Sequence, residues 1–580
     1  MKIISITIHN FRSVKDARFN LENYSVLIGA NNQGKSNILR ALRVFYECDK
    51  SKFSESDDFP KFPEIDHESW IEIEYKLTDD EYINLKEEYR LPDNKLRVKK
   101  YLKSEDRNLV KANQSNIFAY TTKGLSDSLF YGAKNISQAK LGSALYIPDV
   151  MKTEDAFKTT GPSPFRNVLS FVMGKVVKKS QAYQALQDSF REFNENFSSD
   201  ASKDGYSLHE LEESINKQLT DWEVKFHLDI RSITSDDIVK NLVDHSLSDN
   251  ELDQQVHIRN YGQGLQRHLI YSLIKISTQY IDKDEPGKKE FNPDFTLILF
   301  EEPEAFLHPS QQEILNVSLD SLSTNAGQQV LITTHSPTFV SKNIEAISSL
   351  IRVEKSEGIT KLFQISSSAK EELIQNNDGL YSFLKSKSEA ADVSHEDKQA
   401  LRGLLRETDE NARYEQEAIR YLMWLDTERC CSFFSDNVCI CEGPTEKRFI
   451  DYMIRNHWQE EFKNKKVYVF ESGGKFHIHR FMNLFASFGI SHSILYDQDL
   501  QGTSASARSH KYINQFILDS KNSFTKKIDS FDQDIETFLG LSPSGVPSDK
   551  KPLYLMWKYK KGEIQQSNID NLKEKIKALV

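Results

Sequence analysis

Two sets of residues in this chain have types and spacings suited to phosphate and metal chemistry. The first opens with Gly29-Ala-Asn-Asn32-Gln-Gly34-Lys35-Ser36, after the apolar run Tyr24-Ser-Val-Leu-Ile28 and before Asn37-Ile-Leu-Arg-Ala-Leu-Arg-Val-Phe45. Apolar residues in that last segment recur at helical spacing, so the pattern predicts strand, glycine-bounded loop and helix. Such a loop lets backbone N–H groups curl round phosphate oxygens, and the helix N-terminus adds partial positive charge. Gly29, Asn32 and Gly34 would shape the cradle, Lys35 would reach the β- and γ-phosphates of ATP, and the Ser36 hydroxyl would ligate Mg²⁺. The second set is Glu442-Gly443-Pro-Thr-Glu446 with Asp497-Gln-Asp499. A strand delivers Glu442, a glycine turns the chain, and Glu446 starts a helix on the same side one turn on. Strand alternation sends Asp497 and Asp499 to one face if the strand persists through both. Four carboxylates at strand ends can bind one or two Mg²⁺ or Mn²⁺ and support in-line phosphodiester displacement.

Further residues complete the first set. Phe295-Thr-Leu-Ile-Leu-Phe300 reads as a strand buried on both faces, ending in Glu301-Glu302-Pro-Glu304. Glu301 is expected on the metal and Glu302 on the attacking water. Where many phosphate-loop proteins have Asp, Glu301 adds a methylene, which contact through water accommodates. Gln329-Val-Leu-Ile-Thr-Thr-His335-Ser-Pro337 is a second such strand, and His335 is expected to sense the γ-phosphate or the water. Tyr261-Gly262-Gln263-Gly264-Leu265-Gln266-Arg267 precedes a helical run and makes a second anion cradle. Because the chain already has one cradle, Gly262, Gly264 and Gln266 are expected to cap the nucleotide of another subunit.

The elements that must position these groups are spread over 580 residues, too many for one core. Residues 1–366 read as an α/β ATPase head with a helical insert at about 155–225, expected to serve dimerisation. Residues 367–432 read as helical connections, solvated over 377–392 and 395–417 while the more apolar Arg420–Asp426 is expected to dock, and 433–580 as a second α/β domain. Residues 47–125 read as extra strands and loops with no assignable task. No run of roughly eighteen apolar residues occurs, so no membrane span is expected. The alternating start Met1-Lys-Ile-Ile-Ser-Ile-Thr-Ile reads as a first strand, and a cytoplasmic location follows as the default. Five cysteines match no zinc spacing and no disulfide scaffold; Cys439 and Cys441 fall on one side of a strand, as buried thiols do. The net charge of −11 does not exclude nucleic acid, because acidic metal clusters bias the total and binding follows local patches. Lysine pairs recur, among them Lys526-Lys527, Lys550-Lys551 and Lys560-Lys561, and each alone is more often a solvated face than a contact.

The order of phosphate loop, Gly-x-Gly-x-Gln-Arg, Glu-Glu-Pro-Glu and Thr-His-Ser-Pro resembles ABC-type ATPases of the RecF, SMC and OLD (overcoming lysogenization defect) group. That resemblance implies a head-to-head homodimer with ATP sandwiched between subunits, and it puts Ser310-Gln-Gln near the meeting of heads. The usual Q-loop glutamine is not evident around Ala144-Leu-Tyr-Ile-Pro148-Asp149. The Glu-Gly-x-x-Glu and Asp-x-Asp pair resembles a Toprim domain, with Val467-Tyr-Val-Phe-Glu471-Ser-Gly-Gly474-Lys475 as its second strand and glycine turn. By the same resemblance Glu536 is a candidate second-metal ligand. Lys550-Lys551-Pro552 matches the OLD-type basic element, with Lys551, beside the proline, as the expected stabiliser of the pentavalent phosphate. Head first and Toprim last is the OLD-family arrangement. It implies an ATP-regulated, metal-dependent DNA endonuclease of anti-phage defence, with a UvrD-like helicase, a retron or no partner. The alternative is an ATP-driven DNA-sensing clamp whose Toprim domain does not cut. A topoisomerase or primase would need a strand-passage tyrosine domain or a zinc module, and neither is visible. Cleavage of RNA stays open, because paired metals do not choose between sugars.

Overall fold

The computed structural model describes residues 1–48, 51–148, 180–197, 207–219, 224–227, 233–241, 246–249, 254–256, 258–262, 291–305, 307–342, 346–405, 409–463, 465–501 and 504–580, with isolated residues between 165 and 173 and between 265 and 272. The chain enters on the antiparallel hairpin β1 (Lys2–Phe11) and β2 (Val14–Asn20), and β3 (Tyr24–Ile28) then delivers the glycine loop. Strands β4 (Ser69–Lys76), β5 (Lys95–Lys103), β6 (Ile117–Thr121) and β7 (Gly124–Leu129) continue outward from β1 as an antiparallel wing, which is what the aromatic and charged stretch after residue 47 builds. There follow β8 (Ser143–Ile147), a small pair β9 (Leu247–Asp249) and β10 (Gln254–Val256), then β11 (Thr296–Glu301), β12 (Gln328–Thr334), β13 (Leu350–Ser356) and β14 (Ile359–Gln364).

Twelve of these strands form one sheet in the order β7-β6-β5-β4-β1-β2-β14-β13-β3-β12-β11-β8. Its β8-β11-β12-β3-β13 section is parallel. Alternate residues of its strands feed two cores, as the two-residue period requires. Val26, Ile298 and Ile332 pack on one side. Leu27, Leu299 and Leu331 pack on the other with Leu39 and Leu42 of the helix Lys35–Phe45. Gly34 caps that helix at φ 108°, where an added Cβ would lie 2.2 Å from Thr360 Oγ1 of β14, so only glycine closes the loop against the sheet. Within the helical insert expected at about 155–225, the structure describes the helices Gln181–Phe197 and Leu208–Gln218.

Residues 437–531 form a second, parallel sheet: β15 (Asn437–Cys441), β16 (Val467–Glu471), β17 (His492–Asp497) and β18 (Thr525–Phe531), ordered β16-β15-β17-β18. The helices Ser367–Glu389, His395–Leu404 and Glu410–Trp424 between the two sheets are docked on the second one. Buried Asn377 receives a hydrogen bond from Asn483 on its side chain, meets His479 through its carbonyl, and donates to Tyr421. Arg480 forms a two-pronged ion pair with buried Glu417, one contact at 2.7 Å. The two sheets also touch directly. Arg352 on β13 is buried and donates to the carbonyls of Phe488 (2.9 Å), Gly489 (3.1 Å) and Phe433 (3.3 Å). One apolar cluster therefore runs from Val26 and Ile332 through Leu380 and Leu401 to Phe470 and Ile494. Among the described residues no helix is long and apolar enough to cross a membrane.

Two candidate functional sites

Both sites lie at the carboxyl ends of parallel strands, where the strands stop and loops supply polar groups. In the first sheet the register sets Ile28 beside Thr334 and Glu301 beside Thr333, so β3, β11 and β12 end together. Lys35, buried at the base of the loop, donates to the carbonyls of Gly29 (2.9 Å) and Ala30 (3.0 Å), and its Nζ lies 2.9 Å from His335 Nε2. Burial holds the Lys35 ammonium down to about 8 against the pull of Glu302, Glu304 and Glu301. Burial, then Lys35, pushes His335 down to about 4, so its imidazole is neutral at pH 7. Its Nε2 is also 3.0 Å from Glu302 Oε1, and the tautomer decides whether it accepts from Lys35 or donates to Glu302.

The Ser36 hydroxyl donates to one oxygen of Glu301, and Tyr146 OH donates to the other at 2.5 Å. Tyr146 stands on β8 in the stretch where a Q-loop glutamine is absent from the sequence. Glu304 accepts from Thr334 Oγ1 and from the His335 N–H, both at 2.7 Å, and so sets the turn carrying the imidazole. Asn32 is exposed in the loop at φ 64°. Gly262 stands at an open surface position with nothing within 4 Å of an added Cβ. Gly264 and Gln266 lie outside the described residues.

In the second sheet Glu442 leaves β15, Asp497 ends β17, and Glu446 sits in the first turn of the helix Pro444–Asn456. Glu446 Oε2 accepts from Gly443 N–H at 3.0 Å, and Glu442 Oε2 accepts from Asp497 N–H at 3.4 Å. The strand does not persist to Asp499. That residue takes φ 53°, a left-handed turn, and its carboxylate is held by Lys475 Nζ (2.7 Å) and His510 Nδ1 (3.1 Å). Lys475 Nζ is also 3.9 Å from Glu442. Lys551 Nζ lies 3.0 Å from Asp534 and 4.0 Å from Glu536. Lys475 and His510 are the members to which residue patterns gave no role in the site. A Gly473-Gly474 pair before Lys475 was the available signal; His510, mid-helix, had none.

The electrostatics of this cluster are those of carboxylates crowded without enough cations. Burial, then Glu446, Glu442 and Asp499, pushes Asp497 up to about 10. Burial pushes Glu446 up to about 7, and Glu442 and Glu536 are raised by burial as well. Asp499 goes the other way: burial raises it, but hydrogen bonds from His510 and Lys475 win and hold it at about 2. Asp497 Oδ1 and Glu536 Oε1 are buried without a hydrogen-bond partner among the described residues. Oxygens of this kind suit a hard divalent cation, so the donor set fits Mg²⁺ or Mn²⁺. Among the described residues no three Asp, Glu, His or Cys side chains form a ready-made metal cage. Instead, Asp499 pairs with Lys475 and Asp534 with Lys551.

Against known proteins, residues 1–161 and 164–340 match the family model "AAA ATPase domain", and 433–499 match "Overcoming lysogenization defect protein-like, TOPRIM domain". The chain belongs to the AAA ATPase domain family, in the ATPase-plus-Toprim architecture of the OLD/GajA-like nucleases. It is 27% identical over 356 residues to the Old nuclease of Escherichia phage P2, covering 59% of this chain and 57% of that protein. It is 23% identical over 526 residues to Endonuclease GajA of Bacillus cereus, covering 86% of this chain and 75% of that one. Among solved structures, an SMC head bound to the C-terminal winged-helix domain of ScpA aligns at 13% identity and TM-score 0.36, over 63% of this chain and 99% of that one.

Proposed function

We propose that this protein binds and hydrolyses ATP and uses divalent metal to cut or nick DNA, as a homodimer in defence against phage. Residues 1–366 act as the ATPase head and 433–580 as the nuclease, with 367–432 joining them. The observation that carries this reading is the cluster of Glu442, Glu446, Asp497, Asp499 and Glu536, whose Asp497 and Glu536 keep buried oxygens free for a cation. Bound there, Mg²⁺ or Mn²⁺ would supply an activated water and stabilise the leaving oxygen. Lys551 faces the charge that develops on the phosphate. At the head, Gly29, Asn32, Gly34 and Lys35 hold the triphosphate, Ser36 and Glu301 the Mg²⁺, and Glu302 and His335 the attacking water. Gly262, Gly264 and Gln266 close on the partner subunit's nucleotide.

The test is nicking of supercoiled DNA with Mg²⁺ or Mn²⁺, with and without ATP. Wild type is expected to nick, and Glu442→Ala and Asp497→Ala to lose nicking while still binding ATP. No cleavage by wild type under any of these conditions overturns the nuclease reading. A DNA-sensing clamp that does not cut is the alternative, favoured by the absence of a ready-made cage among the described residues. Retained ATP turnover with DNA binding and no cutting would establish it.

A further inference from the structure

The helix Lys551–Lys560 begins at the acidic centre and runs away from it along the surface. Its inner face is anchored: Leu555 is fully buried, and Tyr559 stacks edge-on with Phe449 and Tyr452 of the helix Pro444–Asn456. Its outer face is not explained by packing. Leu553 is 72% exposed and Trp557 50% exposed, one turn apart. Lys550 and Lys561 flank them in α-helical geometry, at the N-cap and C-cap. The four follow i, i+3, i+7, i+11 spacing and so share one stripe about 16 Å long. Neither Lys550 nor Lys561 pairs with a carboxylate among the described residues. Lys558 lies over the Trp557 ring at 5.0 Å and is tied to Glu563, which holds the indole while half its surface stays open. Residues 548–563 carry five lysines against two carboxylates, in a chain whose net charge is −11.

A large, half-exposed aromatic between ammonium groups that pair with no carboxylate among the described residues is the chemistry that receives an unpaired base and its phosphates. The stripe is continuous with Lys551, which touches Asp534 and lies beside Glu536, so a strand lying on it leads into the acidic centre. We propose that this outer face docks a single-stranded stretch of the DNA substrate, with Trp557 stacked on a base and Lys550 and Lys561 at phosphates. The proposal rests on the nuclease reading above and adds where its substrate lies.

The test uses the full chain and a fluorescent single-stranded oligonucleotide, with Ca²⁺ in place of Mg²⁺ for binding and Mg²⁺ or Mn²⁺ for cleavage. Trp557→Ala should weaken single-strand binding about tenfold, within what one stacked base contributes, and Trp557→Phe should recover most of it. Lys550→Glu with Lys561→Glu should lower the salt slope of binding by roughly 1.4, about 0.7 per lost phosphate contact. In cleavage Trp557→Ala should raise KM and leave kcat unchanged, with the thermal midpoint unmoved. Equal single-strand affinity in wild type and all variants overturns the proposal, as does failure of wild type to bind DNA. So does a Trp557→Ala variant that alters oligomer mass by light scattering while keeping its DNA affinity, because the face then belongs to a second copy. Wild type that binds through Trp557 but never cuts supports the docking face and removes the nuclease reading. Wild type that cuts with a KM indifferent to Trp557 does the reverse.

Discussion

Asp497 and Asp499 are two residues apart, yet burial among carboxylates pushes one up to about 10 while Lys475 and His510 hold the other at about 2. The raised values at Asp497 and Glu446 belong to one crowded set of carboxylates, so a cation entering the cluster is expected to compete with protons shared among them. Calorimetric titration of Mn²⁺ at pH 7 in two buffers of different ionisation enthalpy should show about one proton or more released per bound cation. Affinity should rise with pH, and Asp497→Asn should remove most of the release. Binding without proton release would show that Asp497 is already ionised. At the head, Lys35→Ala should abolish ATP binding. Glu302→Gln should keep binding and slow turnover by about 100-fold or more, as loss of a positioned base does. A Glu302→Gln enzyme with normal phosphate release would sink that assignment.

At the scale of elements, β13 and β17 carry more than their own sheets. Arg352 of β13 fills three carbonyls around Phe433, Phe488 and Gly489 and pairs with Glu354 at 2.9 Å. Arg352→Met would strand those groups in a buried site and should cost about 3 kcal/mol, read as a lower urea midpoint. Gly489 has φ 65°, and a Cβ there would lie 2.4 Å from the Phe363 ring of β14. In β17, His492 is fully buried, meets Ile490 O at 2.9 Å and Thr525 Oγ1 at 3.0 Å, and is pushed down to about 4 by burial. Its folded value lies below its unfolded value, so the unfolded chain binds the extra proton. The stability it contributes is complete above about pH 6.5 and is lost as pH falls toward about 4. Carboxylates with raised values oppose this in the whole protein, so the comparison must be differential. Between pH 6 and 4.5, His492→Gln should show a pH slope of stability shallower than wild type by about 1 kcal/mol per pH unit. Equal slopes would mean that His492 titrates freely in the fold. Periodicity showed β11 and β12 clearly, since Phe295–Phe300 and Val330–Ile332 are apolar on both faces, whereas β13 was not singled out. It did not show Arg352 as a bridge, because a lone arginine in a strand ordinarily faces water.

For the whole molecule, the shared apolar cluster and the Arg352 contacts tie the ATPase sheet, the connecting helices and the Toprim sheet into one packed body. Wild type should unfold in one calorimetric transition, and Arg352→Met should split it into two. Two transitions in wild type would show that the two sheets fold independently. Arg352 pairs in register with Ile28, the last residue before the glycine loop, so the bridge lies next to the phosphate cradle. The order of motifs along the chain was sufficient for the architecture: glycine loop, an apolar strand ending in Glu301-Glu302, a second ending in His335, then Glu-Gly-x-x-Glu and Asp-x-Asp. Those features are local, set by loop geometry and by which residues can bind phosphate or metal, and local features survive in a linear string. What only the tertiary structure decided is non-local. It joined Tyr146 to Glu301 across 155 residues, Lys475 and His510 to Asp499, and the helices after residue 366 to the second sheet rather than to solvent. These contacts depend on which strands end side by side and which helix faces meet. Residue type and spacing carry no record of that, because the same lysine, tyrosine or histidine serves equally well on an open surface.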